Sequence, residues 1–498
     1  MSLLGIDVGT TGCKAAAYNL EGTCLVTAYR EYGTLHPRPG TTELDSRLVI
    51  GKVREVIAEA ATKTAADPIT ALSISSMGEA MTPVSRDREI LGHSIISSVD
   101  TRGGDALEAV AARIGADAWY AINPNILAPA YSLCSLSWMR REQPAVYDRA
   151  WKFLLWGDLV AFMLGCEPVT SLSLANRTLL LDIRKEQWSD RVLKEAGIDR
   201  DKLPGVAASG TVVGTVSDTV AGELGLPRGV RVVLGGHDQC CSSLGAGIDR
   251  AGRAVCGLGT FECITPVYDH IPEAAAMRAR GLNVEHHVLP GLYVSFIYNQ
   301  SGSLVRWFRD TFAAGESRTD GLYDRLTAEM PAEPSRQLVL PYFEPSGAPQ
   351  YVTDAAGVIA GLRMDTPRGE ILKAILESVT FYFVKSLETL REMGVDASGF
   401  VATGGGARSD RWLQIKADIF GVPFVRPVIT ECGTLGCAML AGLGTGVFHT
   451  TAEAVGRFVK VDRVFEPDAA RHRIYRERVA QYDELFAVLR PLMARWPK

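Results

Sequence analysis

The sequence is short of most features that would take it out of the ordinary globular class. Its ten cysteines are scattered through 498 residues without regular spacing, whereas a disulfide framework belongs to much shorter and denser extracellular chains, so reduced thiols are expected. Cys240 and Cys241 are adjacent but have no second Cys or His pair at finger spacing, which excludes a tetrahedral structural zinc site. No cluster of positive charge and no apolar stretch of signal-peptide length precedes Asp7, and a cytoplasmic protein is expected. The uncharged run 432–452 holds Gly433, Gly436, Gly442, Gly444, Gly446 and His449. It reads as a tightly packed buried helix with a glycine-rich exit, not as a membrane span. Excess charge is lacking as well. Against 52 basic residues stand 57 acidic ones, a net of -5, which supplies no electrostatic ground for nucleic acid or an anionic membrane as a partner. A small-molecule partner is expected.

What is present is 47% hydrophobic and 22% charged residue content, enough for sizeable cores and for two or three domains at about 150 residues each. Strands and helices alternate along the chain, which points to layered α/β domains. LLGIDVG, CKAAAYNL and CLVTAYREY form a three-strand meander through the turns TTG and EGT, followed by a long helix around 46–65. AVCGLGTFECITPVYDH at 254–270 repeats the strand, Gly-Thr turn, strand theme, as a weak internal duplication. The glycine-rich stretch before it places a domain boundary near 245–253, giving domains 1–250 and 251–498. Ile371, Ile375, Val379, Phe383 and Leu387 stand four apart and the run stops at Gly394, as in an amphipathic helix with a glycine stop. The charged stretch 467–495 reads as a solvated surface helix.

Three side-chain-poor turns each leave a strand, where backbone N–H groups can converge on phosphate oxygens. In the first, Gly9 and Gly12 permit close approach, Thr10 and Thr11 offer hydroxyls, Lys14 a cation, and Asp7 a carboxylate for hydrated magnesium. It is not a GxxxxGK[ST] loop, and as a bare GTTG turn it has an equal structural reading. The second, Gly257-Leu258-Gly259-Thr260, also reads as a hairpin turn. The third, Gly404-Gly405-Gly406, sits between an apolar strand and a helix. Three successive glycines are entropically costly, and a ligand lying against the backbone explains them better than a turn does. A fourth element, VVLGGHDQ, delivers His237, Asp238 and Gln239 to a strand end, the usual address of working residues in an open α/β sheet. Asp238 is there either a general base or a helix N-cap. This stretch alone leaves both open.

In order, DVGTTGCKAA, GGHDQ, LGTFE, PYFEPSGAPQYVTDAAGVIAGL and GGGARSDRWLQIKADIFGVP resemble the FGGY carbohydrate kinases from Leu4 to about Phe448. The most specific match is the second family signature. Gly357, Ile359, Gly361 and Leu362, then after seven intervening residues Glu370, Ile371, Ala374, Ile375, Leu376 and Glu377, fit it throughout. The resemblance implies two actin-like (ribonuclease H-like) α/β domains around a cleft, with sugar held mainly by the first and ATP mainly by the second. It implies Asp238 as general base with Gln239 beside it and Asp7 placing Mg2+. Thr10, Thr11, Lys14, Gly259 and Thr260 would face the phosphates, and Gly404, Gly405 and Gly406 the adenosine. Substrate choice is where the chain departs from the family pattern. Met77-Gly78-Glu79-Ala80 replaces the Gln-Met-His-Gly run of xylulose kinases, and Glu79 is similar to the glutamate of the Arg-Glu pair with which glycerol kinases hold polyol hydroxyls. Asp100 and Arg102 of an Asp-x-Arg element remain, but the tryptophan expected before it is Ser98. Ser135 replaces a lysine of the first family signature, and Asn299 and Gln300 put polar residues in a usually apolar stretch. The expected activity is ATP-dependent phosphorylation of a small sugar, ketose or polyol, nearest to a xylulose kinase, with a homodimer expected by analogy alone. The rival readings are an actin-like ATPase interaction protein and a degenerate sugar sensor.

Overall fold

Two sheets with the same connectivity organise the chain in the computed structural model, which describes residues 1–96, 100–316 and 321–496. In the first, the hairpin Ser2–Val8/Gly12–Asn19 is extended by Cys24–Glu31 on one side. On the other side Ile69–Ser76 and then Arg231–His237 pair in parallel, and Val212–Thr215 closes the edge antiparallel. In the second, the hairpin Arg253–Leu258/Phe261–Tyr268 is followed by the parallel strands Phe400–Thr403 and Phe424–Pro427 and by the antiparallel edge Val461–Phe465. Hairpin, two parallel strands and an antiparallel edge recur in both halves, so the duplication read from the two Gly-Thr turns extends to whole sheets. The architecture is two actin-like α/β domains.

Local chemistry accounts for the elements. Asp45 caps helix Ser46–Lys63 by accepting from the Arg47 and Leu48 amides, and Ser409 caps Asp410–Phe420 through the Trp412 amide. The first core gathers Leu4, Ile6, Val53, Ile57, Leu72 and Val232 between sheet and helix, and the second gathers Ile264, Leu376, Phe383, Phe400 and Leu413. A third cluster, with Leu3, Tyr18, Leu244, Leu435, Met439 and Phe448, joins the halves. At its centre two helices cross, Asp238–Gly245 and Cys432–Gly444. A Cβ on Gly245 would overlap the Cys432 carbonyl and one on Gly436 the Cys241 carbonyl. Only glycine lets these backbones approach so closely, and the run 432–452 is thereby the packed helix it was read to be.

Two expectations are revised. The helix read as amphipathic, Arg368–Glu392, is buried on both faces, Lys373 and Glu377 included, because helices Asp410–Phe420 and Ala469–Met493 pack on it from the outside. Ala469–Met493 is correspondingly not wholly solvated, since Tyr475, Val479 and Tyr482 turn inward. All ten cysteines are free thiols. Among the described residues no helix is long and apolar enough to cross a membrane. Ser98 lies outside the described residues.

Candidate functional site

The strand ends that face the cleft carry the chemistry. Arg231–His237 runs directly into helix Asp238–Gly245, so Asp238 opens the helix. The two glycines before His237 are required by packing, because a Cβ on Gly235 would overlap the Ile74 carbonyl and one on Gly236 the Ser173 hydroxyl. Asp238 Oδ1 accepts from the Gln239 amide at 2.6 Å and lies 3.3 Å from His237 Nε2. Burial pushes the Asp238 carboxyl up to about 7; Asp7 and Glu79 push the same way, while the Gln239 amide and Arg177 oppose them. His237 is held neutral by burial and by Arg177. A carboxyl that titrates near neutrality at the head of a helix suits a general base.

Asp7 ends strand Ser2–Val8 and accepts from Ser75 Oγ at 2.6 Å. Burial raises its pKa, against the Ser75 hydrogen bond and Lys14. It shares a cavity of about 300 Å³ with Lys14, Gln239, Gly259, Gly404 and the start of helix Cys432–Gly444. Among the described residues no group of three or more His, Cys, Asp or Glu side chains forms a metal cluster. A single half-buried carboxylate nevertheless fits magnesium, which is commonly held by one or two carboxylates together with substrate phosphates and waters. Thr10 and Thr11 sit on the exposed turn beside this cavity and do not line it. Lys14 donates to Glu431 Oε2 at 2.8 Å.

A second, larger cavity of about 760 Å³ adjoins the first at Leu258 and Gly259 and is lined by Thr260, Gly405, Gly406, Arg309, Tyr323 and Trp412. Gly404 has φ 79°, and a Cβ there would stand 2.8 Å from the Leu258 carbonyl. A Cβ on Gly406 would meet Leu258 and the Trp412 ring at 2.8 Å, whereas Gly405 has open space. The hairpin turn is braced from behind: Gly302 N donates to Gly259 O at 3.1 Å and Ser303 N to Thr260 O at 3.1 Å. Glu262, on the strand leaving the turn, is fully buried against Lys416 Nζ at 2.7 Å. Ser301 and Thr380 complete that cluster.

Glu79 is not a surface-loop carboxylate. It follows strand Ile69–Ser76 with φ 63°, and its Oε1 accepts from Arg177 Nε at 2.6 Å. Arg177 Nη1 donates to Glu285 Oε1 at 2.7 Å, and Asn283 Nδ2 donates to the same oxygen at 2.7 Å. The guanidinium lies between the rings of Tyr131 and Phe296 at 5.2 and 5.9 Å, and Phe296 in turn meets His237 at 5.2 Å. Arg177, Glu285, Tyr131 and Phe296 were not singled out from the sequence. ANRT, in which Arg177 sits, and NVEHH, which holds Glu285, carry no spacing that marks them. Asp100 and Arg102 form an ion-paired group of their own. Arg102 closes on both Asp100 oxygens and on Glu43, and Asp100 also accepts from the Thr42 amide. Among the described residues the pair's hydrogen bonds stay within this loop cluster, and the Arg102 guanidinium lies over the Trp138 ring at 4.6 Å. Gln300 shares a sheet face with Phe261, while Asn299 stands opposite buried Glu262 on the inner face. Asn299 thus faces the core of the second half and not the cleft.

Family models described as "FGGY family of carbohydrate kinases" match the chain at residues 2–245 for the N-terminal domain and 273–445 for the C-terminal domain. The chain is 27% identical to the xylulose kinase of Bacillus subtilis over 489 residues, 97% of this chain and 96% of that one. It is 28% identical to the autoinducer-2 kinase of Klebsiella pneumoniae over 511 residues, 97% and 93% of the two chains. The crystal structure of xylulose kinase from Rhodospirillum rubrum superposes with a TM-score of 0.90 at 26% identity, over 99% of this chain and 100% of that one.

Proposed function

Since the chain belongs to the FGGY family of carbohydrate kinases, ATP-dependent enzymes that phosphorylate an alcohol group, we propose that it transfers the γ-phosphoryl of ATP to a hydroxyl of a small ketose or polyol, nearest to xylulose among named sugars. The observation that carries the reading is Asp238, a carboxyl pushed up to about 7 at the strand-to-helix junction, with Asp7 as an electrostatic neighbour and the adjacent Gln239 in the same cavity as Asp7 and Gly259. The adenosine lies in the larger cavity against Gly405, Gly406 and Trp412, and the phosphates run past Thr260, Gly259 and Gly404 toward Lys14 and the turn of Thr10 and Thr11. Domains 1–250 and 251–498 hold sugar and nucleotide respectively.

The step needs positioning and charge neutralisation more than covalent chemistry. Asp238 accepts the proton of the acceptor hydroxyl as its oxygen bonds to the γ-phosphorus; the bond to the bridging oxygen breaks and ADP leaves. Asp7 and the nucleotide's phosphates would hold magnesium, which supplies charge neutralisation at the transferring group. Gln239, Glu79, Asp100 and Arg102 bind and orient the acceptor. Closure of the cleft keeps water from competing as acceptor. The same reading includes a cytoplasmic location and a homodimer, the latter checked by light scattering. No observation favours a non-catalytic ATPase or a sensor.

The test is ADP release measured with and without a panel of pentuloses, hexuloses, polyols and aldonates. Stimulation by one class well above the unstimulated rate is expected. Equal ADP release with and without every acceptor would overturn the reading.

A further inference from the structure

Arg177 is the joint between the halves at the acceptor end of the cleft. It comes from the end of helix Leu172–Asn176 in the first half, grips Glu79 from the first sheet's loop, and reaches Glu285 on a strand of the second sheet. Side-chain exposure is 14% at Glu79 and 18% at Arg177 but only 1% at Glu285. One guanidinium between two carboxylates leaves the group with a net negative charge. Its surroundings do not reverse that. Asp238 and Asp7 are carboxyls, and His237 is held neutral. Lys14 lies in the cavity with Asp7, Gly259 and Gly404, where the phosphates are proposed to run, and not among the partners of the triad. Tyr131 and Phe296 close the faces of the guanidinium. What remains is acceptor capacity, including Glu285 Oε2, which is buried without a hydrogen-bond partner.

An acceptor-rich group whose one guanidinium is already paired on both sides recognises hydroxyl donors and offers a carboxylate no counter-charge; a like charge placed there is repelled. We infer that the Glu79–Arg177–Glu285 triad is a specificity determinant that admits uncharged polyhydroxy acceptors, ketoses and polyols, and rejects acceptors bearing a carboxylate, such as aldonates. The inference rests on the kinase reading above and adds which acceptors that site excludes and which residues exclude them. Glu285, contributed by the second half, is the decisive member: it neutralises the guanidinium face that would otherwise bind an anion bidentately. A positioning role follows for Arg177, which presents Glu79 to the acceptor while tying the two halves together.

The experiment compares kcat/KM for ketoses and polyols with kcat/KM for aldonates of the same chain length, in the wild type, in Glu285→Gln and in Glu79→Gln. Glu285→Gln keeps the shape and its hydrogen bonds but removes one charge, and Glu79→Gln does the same at the more exposed end, in case the buried substitution impairs folding. The wild type is expected to use the aldonate at less than about a hundredth of the efficiency of the neutral sugar. Each variant is expected to raise the aldonate-to-neutral ratio by about tenfold. A wild type that prefers aldonates, or a ratio unmoved in a variant that still phosphorylates the neutral sugar, overturns this inference and leaves the kinase reading intact. Absence of turnover with every acceptor overturns both.

Discussion

Lys14 of the first half donates to Glu431 of the second at 2.8 Å across the floor of the cleft, so the cation nearest Asp7 is held by a carboxylate of the opposite domain. Glu431 is two-thirds exposed, and such pairs contribute roughly 0–1 kcal/mol. A phosphate oxygen therefore displaces it at little cost. Lys14→Ala is expected to lower kcat/KM for ATP by about 10², and Glu431→Ala to change it less than about threefold at moderate salt. Steady-state kinetics with varied ATP checks both, and equal losses in the two variants would mean that Lys14 serves the salt bridge and not the nucleotide.

Asp238→Asn removes the proposed base while keeping size and the chance to cap the Gln239 amide. Turnover is expected to fall by about 10² to 10⁴ with nucleotide binding retained in calorimetry. A variant keeping more than about a tenth of the wild-type kcat contradicts the role.

The pH dependence has opposite signs for activity and stability. The base acts ionised, and its carboxyl is pushed up to about 7, so kcat/KM should rise with pH through an inflection near 7. A raised carboxyl pKa means that folding disfavours the charged form, and the associated stability is lost as pH climbs from the ordinary aspartate range through about 7. Asp238→Asn is free of that loss. Its melting temperature should exceed that of the wild type by a margin that widens from pH 5 to pH 8, as read by scanning calorimetry.

The three consecutive glycines separate by backbone and by neighbours. Gly405 has nothing within contact of a new Cβ yet lines the larger cavity, so Gly405→Ala should leave stability within about 0.5 kcal/mol and raise KM for ATP. Gly404, at φ 79° and 2.8 Å from the Leu258 carbonyl, should lose about 1–3 kcal/mol on substitution by alanine. Denaturant midpoints and ATP titrations of the two variants distinguish them.

Lys416 and Glu262 are both wholly buried, 2.7 Å apart, directly behind the Gly259–Thr260 turn. Lys416→Met leaves an uncompensated buried carboxylate and should cost about 3–5 kcal/mol. Pairing it with Glu262→Leu should recover most of that loss in urea denaturation, since no charge is then left unpaired.

Much of this protein is written in short stretches of its chain. The two hairpins, the glycine stop at Gly394, the strand that ends at Asp238 and the three side-chain-poor turns depend on backbone preferences and on apolar spacing over a few residues, and they lie where the sequence places them. Other features required the folded chain. Arg177 finds Glu79 and Glu285 at separations of 98 and 108 residues, and no local pattern records which carboxylates a guanidinium will meet once three elements pack together. Burial around helix Arg368–Glu392 likewise depends on which neighbours cover its outer face, so a four-residue repeat could mark one apolar side but not the absence of a wet one. The partners of Asp100 and Arg102 were also decided by the fold, which sets them against each other and against Glu43. Backbone propensity acts within a turn or two of the chain and is legible there; charge pairing and desolvation are set by whatever the tertiary fold brings within a few ångströms.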